Sequence, residues 1–312
     1  MDRLDEKILL ELIKNARTPL TALSKKVQAS REVVTYRIKK LQKEGIIRDF
    51  ITNINVEALG FIGAAVFISI QSSREEEFRN FLNQCGFVSW VAEHSGIWNF
   101  GMSIYGKSNE EIDERFNKMY RSFKDIIISH RFTLHKKTVF FYEKYLGFNP
   151  NNPIKTKKSE VKIDSKDKQL LKELSKNARI ESIELVNRVS LTAPAISQRI
   201  KKLEKAGIIE KYTVFLDISK LKMFHYSVFI RNKDASIRDK LLSYLYNHPQ
   251  VTFVAEYIGN PFLEFGVIVK DPYLLRGITR EIEEAFPANR MMEFSLIQNE
   301  FVSTGPPACV FE

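Results

Sequence analysis

The sequence predicts an α+β chain in which two winged helix-turn-helix units alternate with two ferredoxin-like βαββαβ units. Three observations predict it. The 312-residue chain repeats itself, since residues 5–61 align with 167–223 without a gap at a constant offset of 162. Each copy opens with three segments of helical period, the third closed by a glycine and followed by an alternating strand. Each copy then runs strand, helix, strand, strand, helix, strand, with a single order of elements.

About twenty of the 57 aligned positions are identical, including Lys14-Asn15-Ala16-Arg17 with Lys176-Asn177-Ala178-Arg179. Arg37-Ile38-Lys39-Lys40-Leu41 likewise matches Arg199-Ile200-Lys201-Lys202-Leu203. Two copies of this length are duplicated domains rather than a solenoid. In the first helix, Ile8, Leu9, Leu12 and Ile13 have helical spacing; Leu20 and Leu23 point inward from a second, short helix. Ser30, with Thr192 in its place in the second copy, is expected to cap the third helix by accepting an orphan backbone N–H. Pro194 falls in the first turn, where its missing N–H costs nothing. Val34, Ile38 and Leu41 form the buried stripe, repeated as Ile196, Ile200 and Leu203, and Gly45 and Gly207 end the two helices. Ile46 to Val56 alternates and reads as the wing.

In the α/β part of the first copy, strands are expected over 64–70, 88–94, 100–105 and 129–145, with helices over 74–83 and 109–123. The second copy gives strands over 226–230, 252–257, 262–269 and 291–301 and helices over 237–247 and 272–285. The expected boundaries are 1–61, 62–148, a linker over 149–160, 161–223, and 224–312 with a C-terminal tail. The linker reading rests on two Pro, three Asn and three Lys, which cannot bury a core.

The net charge of +10 is unevenly placed. Residues 1–61 carry +4 and 150–223 carry +8, whereas 62–149 carry +1 and 224–312 carry −3. The basic excess follows one module type, as it does when that module meets phosphates. Two cysteines, Cys85 and Cys309, make no disulfide framework and no zinc pair. No apolar run reaches the ~18 residues of a membrane span, and the start has no signal-peptide core. The expectation is a cytoplasmic, nucleoid-associated protein without membrane contact. The five histidines form no ligand set, and no nucleophile or phosphate-loop motif occurs, so no metal, cofactor or catalytic residue is expected.

A basic third helix behind a tight turn fits the DNA major groove, where base edges are distinguishable. Double-stranded DNA is thus the expected partner. The DNA-facing residues are Ser30, Arg31, Glu32, Val33, Thr35, Tyr36, Arg37, Lys39 and Lys40 in the first copy. The second copy offers Thr192, Ala193, Pro194, Ala195, Ser197, Gln198, Arg199, Lys201 and Lys202. Arg37, Lys40, Arg199 and Lys202, present in both copies, are expected to fix position on phosphates, while the differing helix starts read bases.

The spacing Asp-(x)3-Leu, Leu-(x)2-Asn-Ala-Arg and Arg-Ile-(x)2-Leu-(x)3-Gly-Ile-Ile resembles the leucine-responsive (Lrp/AsnC, feast/famine) regulators, and both copies carry it. The resemblance implies that the βαββαβ units are effector and oligomerisation domains. It also implies self-association, here as an intrachain pseudo-dimer or a homodimer. Family members place an amino-acid effector near the turn between the second and third strands. That makes Ser95, Gly96, Asn99, Gly259, Asn260 and Glu264 candidates for an amino-acid-like ligand, with Asn99 and Glu264 at or near an acidic position and two extra residues in the second turn. Two alternatives come with the same unit. One is an enzyme like the sirohaem decarboxylases, which would use His94. The other is a scaffold that has lost DNA binding.

Overall fold

The computed structural model describes residues 1–149, 161–231, 235–287, 290–302 and 305–312. In chain order the first copy comprises helices α1 (Arg3–Lys14), α2 (Leu20–Val27) and α3 (Arg31–Lys43), then strands β1 (Ile47–Ile54) and β2 (Ile62–Ile70). Helix α4 (Glu75–Gln84), strands β3 (Val88–Ser95) and β4 (Phe100–Gly106), helix α5 (Asn109–Phe123) and strand β5 (Ile127–Phe140) complete it. The second copy repeats the order as α6 (Ser165–Lys176), α7 (Ser182–Val189), α8 (Ala193–Lys205), β6 (Ile209–Leu216), β7 (Phe224–Arg231), α9 (Arg238–Asn247), β8 (Val251–Ile258), β9 (Leu263–Val269), α10 (Tyr273–Ala285) and β10 (Arg290–Val302). The first copy's last strand stops at Phe140, earlier than expected, and a 3-10 turn over Tyr142–Leu146 follows. Most of the expected linker, from residue 150, lies outside the described residues.

These elements form two compact units. One holds the described residues 1–61, 161–220 and 305–312; the other holds 62–149, 221–231, 235–287 and 290–302. The tail, expected beside the second α/β unit, belongs to the helical unit instead. Its 3-10 turn Ala308–Phe311 packs on α6, burying Cys309 and Val310, and Lys168 Nζ donates to Glu312 O at 2.7 Å. Apolar Cys309 and Val310 gain by leaving water, which outweighs chain order here.

In the helical unit the strand expected as the wing is present in both copies, as β1 and β6. Each copy supplies one strand, and β1 pairs antiparallel with β6 of the other copy. A lone strand cannot satisfy its own N–H and C=O groups, so the copies complete each other. The ribbon is centred on Ile51 opposite Thr213, residues 162 apart, so its pseudo-two-fold axis passes through equivalent positions.

In the α/β unit each copy forms a four-stranded antiparallel sheet, β3-β4-β2-β5 and β8-β9-β7-β10. The sheets join at both edges, through β5 with β8 and β10 with β3, so that among the described strands of this unit every edge is paired. Strand alternation divides the side chains. Ala64, Val66 and Ile68 of β2 face α4 and α5, packing with Phe78, Ile112 and Met119. Ala65 and Phe67 face the opposite way into a shared core with Phe229, Ala255, Tyr257 and Ile297. Val228, Ile230, Leu241, Phe265 and Ile282 form the matching second core. Among the described residues, no helix is long and apolar enough to cross a membrane.

Candidate nucleic-acid interface

The third helices are built by local chemistry in both copies. Ser30 Oγ accepts from Val33 N at 3.3 Å and Thr192 Oγ1 from Ala195 N at 3.4 Å, each taking one of the orphan N–H groups of a helix start. The glycines sit one position beyond the caps Glu44 and Ala206, at φ +73° and +70°. There Gly45 N and Ile46 N donate to Gln42 O and Leu41 O, and Gly207 N and Ile208 N to Glu204 O and Leu203 O. This Schellman arrangement needs a left-handed residue, which only glycine adopts without strain. Val34, Ile38 and Leu41 are buried as expected; in α8, Ile196 and Leu203 are buried and Ile200 is half-buried.

Ion pairing within the fold separates the expected DNA-facing residues into two groups. Arg31, Glu32, Val33, Tyr36 and Lys39 are exposed, Tyr36 by 65%. An open groove between α2 and α3 brings Arg31, Glu32, Thr35, Tyr36 and Lys39 together with Pro19, Leu20 and Thr21. In α8, Ala193, Pro194, Ser197, Gln198 and Lys201 are exposed, with Ala195 half-buried. Ile183 of α7, which takes the place of Thr21, is 66% exposed.

The second group is held by its own fold. Arg37 Nη1 donates to Asp2 at 2.6 Å and to Asp5 at 3.2 Å. Arg199 donates to Asp164 at 2.8 Å and to Asp167 at 2.7 Å, and Lys202 Nζ reaches Asp167 at 2.8 Å. Asp2 and Asp164 are the caps of α1 and α6, each in a reciprocal capping box with the aspartate three residues on. Backbone N–H groups, then the arginines, hold both cap carboxyls below the usual range. Lys40 lies 3.8 Å from Glu44. So Arg37, Arg199 and Lys202 brace the third helix against the first.

The repeated Asn-Ala-Arg segments prove to be joints between copies, a role not assigned to them in the sequence. Ala16 N donates to Tyr212 O and Ala178 N to Phe50 O, at 3.0 and 2.8 Å. Arg17 donates to Ala178 O at 2.7 Å and Arg179 to Ala16 O; the two guanidinium groups lie over Tyr212 and Phe50. Thr52 Oγ1 donates to Leu174 O at 2.7 Å and Thr213 Oγ1 to Ile13 O at 2.9 Å. Each strand thereby caps the C-terminal end of the other copy's first helix. Their exact repetition was the available signal.

The two turns of the α/β unit differ from expectation. They have equal length, closed by His94 N to Asn99 O and by Tyr257 N to Phe262 O, both at 2.8 Å. Phe262 therefore matches Asn99. Glu264 lies two residues further on, because side-chain pairs in the sheet set it opposite Phe229 as Gly101 is set opposite Phe67. Asn99 Oδ1 accepts from Ile70 N at 2.8 Å. Gly96 and Gly259 hold φ +127° and +124° at the turns, Ser95 O accepts from Ser295 Oγ at 3.2 Å, and Asn260 precedes a cis proline. Glu264 is 2% exposed and accepts from Ser227 at 2.6 Å and from Tyr257; burial pushes its carboxyl up to about 7. His94 is buried with Nδ1 3.0 Å from Ser295 Oγ, and burial lowers its pKa to about 3. Among the described residues no group of His, Cys, Asp or Glu is placed to hold a metal ion.

Residues 1–48 and 163–210 each match a winged helix-turn-helix DNA-binding family model. An uncharacterised HTH-type transcriptional regulator of Pyrococcus horikoshii is 37% identical over 109 residues, 35% of this chain and 71% of its own length. The HTH-type transcriptional regulator LrpB of Bacillus subtilis is 31% identical over 124 residues, 39% of this chain and 82% of its own. The crystal structure of the siroheme decarboxylase NirDL superposes with a TM-score of 0.63, covering 98% of this chain and 93% of that one at 14% identity, a likeness of fold alone. The chain belongs to the Lrp/AsnC family of helix-turn-helix transcriptional regulators, with the family's unit present twice in one chain.

Proposed function

We propose that the protein is a transcription regulator that binds double-stranded DNA in a sequence-dependent way through α3 and α8. The observation that carries this reading is that two capped third helices with exposed starts lie in one unit, joined by the β1–β6 ribbon, where the basic excess is concentrated. The exposed starts of the helices read bases. Arg31 suits a guanine edge, Glu32 a cytosine amino group and Gln198 adenine, while Ala193 and Ala195 pack on thymine methyls. Thr35, Tyr36, Pro194 and Ser197 shape the same faces. Lys39 and Lys201 meet phosphates, and Ser30 and Thr192, as caps, set the angle of each helix.

The α/β unit serves pairing rather than catalysis in this reading. An amino-acid effector at the turns would need a carboxylate for its ammonium; Asn99 is spent on Ile70 N–H and Glu264 is buried under Ser227 and Tyr257. The reading is therefore of binding that does not depend on an effector there.

Titration of a fluorescent duplex across salt tests it. If the two helices meet roughly six phosphates, log K falls against log salt with a slope of about −5. A protein that shifts no duplex at ~50 mM salt, or that takes up an iron tetrapyrrole stoichiometrically through His94, sinks the reading.

A further inference from the structure

The sheet register makes Arg131 and Glu293 equivalent residues. Arg131 of β5 lies opposite Phe67 of β2, and Glu293 of β10 lies opposite Phe229 of β7; both pairs of equivalents are 162 apart. The equivalents meet. Phe67 and Phe229 touch edge to face with ring centroids 4.9 Å apart. Arg131 forms an ion pair with Glu293, with Nη2 3.1 Å from Oε2. The side chains are only 17% and 9% exposed. Arg131 stacks 4.9 Å over Trp98, whose Nε1 donates to Glu293 at 2.8 Å.

On a two-fold axis a residue meets its own equivalent. Two identical copies would therefore place like charges together here, Arg against Arg or Glu against Glu, out of water where repulsion is poorly screened. Divergence to opposite charge removes that conflict for one arrangement alone, first copy with second. We infer that the Arg131–Glu293 pair selects pairing of unlike copies and rejects dimers in which two chains pair like with like. The attraction matters less than the repulsion it places on the alternatives, since a shielded ion pair is weak evidence for stability but an effective discriminator. The pair sets a first copy against a second, whether or not the helices read DNA.

The test uses the full chain with Arg131→Glu, Glu293→Arg and both together, read by thermal unfolding and light-scattering mass. Each single reversal sets like charges on the axis and lowers the Tm by several degrees; the double exchange recovers most of the loss. The two single variants refolded together, at about 100 μM, form a 1:1 complex that neither forms alone. One variant is then acidic at both axial positions and the other basic at both, so every pairing between the two chains joins opposite charges. Should a single variant be insoluble by itself, the joint refolding still reads the complex. A mixture without that complex, or a double exchange that leaves the Tm as low as the single reversals, overturns the inference.

Discussion

Arg37 on α3 donates at 2.6 Å to Asp2, the residue that caps α1. One carboxylate thus ends one helix and fixes the angle of another, and Arg199 with Asp164 does the same in the second copy. The arginines are committed inside the fold while Lys39 and Lys201 remain exposed. Arg37→Ala and Arg199→Ala are expected to lower the Tm and weaken binding without changing the salt dependence. Lys39→Ala and Lys201→Ala should each flatten the slope of log K against log salt by about 1, with the Tm unchanged. Anisotropy titrations across salt separate the two; a flatter slope for the arginine variants would return them to the phosphates.

Thr52 and Thr213 are fully buried and donate to Leu174 O and Ile13 O, carbonyls in the last turns of α6 and α1. Replacing either hydroxyl by a methyl keeps shape and leaves a buried acceptor without its donor. Thr52→Val and Thr213→Val should each cost ~1–3 kcal/mol of stability in urea titration. Variants as stable as the parent would show that water takes the place of the hydroxyl.

The DNA site should be asymmetric. Identical reading helices give a palindrome. Here α3 presents Arg31, Glu32 and Tyr36 where α8 presents Ala193, Pro194 and Gln198. Selection from random duplexes is expected to return two unlike half-sites, the first richer in G·C, with centres about one helical turn (roughly 34 Å) or a multiple apart. A perfect palindrome would mean that one helix is silent or that two chains pair like with like.

Stability should depend on pH in two opposing ways. Burial lowers His94 to about 3 and His135 and His225 to about 4, from 6.5. A lowered histidine contributes stability that is present above 6.5 and lost as pH falls toward its folded pKa. Glu264 is raised from 4.5 to about 7, so its contribution is present below 4.5 and lost as pH rises through about 7. Glu264→Gln should therefore be stabilising at pH 8, by on the order of 3 kcal/mol at most, and nearly neutral at pH 5. Tm profiles from pH 4 to 8 for both proteins check this; a constant difference would place the pH dependence elsewhere.

The sequence by itself determined what is local. Ser30 and Thr192 cap, Gly45 and Gly207 adopt the left-handed turn, and Val34, Ile38 and Leu41 bury, because each follows from covalent geometry or a period of 3.6. The exposed helix starts were legible for the same reason. Which partner a charged or hydrogen-bonding group takes was decided only by tertiary structure. Arg37 reads as basic surface until Asp2 and Asp5 are seen beside it, and Glu264 reads as a turn residue until the sheet register sets it two positions deeper. The same holds for β1, which has the alternation of a wing but finds its mate in β6, more than 150 residues away. Alternation fixes which face of a strand is buried, not which edge pairs with it. That choice belongs to the competition among all unpaired edges in the folded chain, and here the duplicated copy supplied the equivalent one at the axis through Ile51 and Thr213.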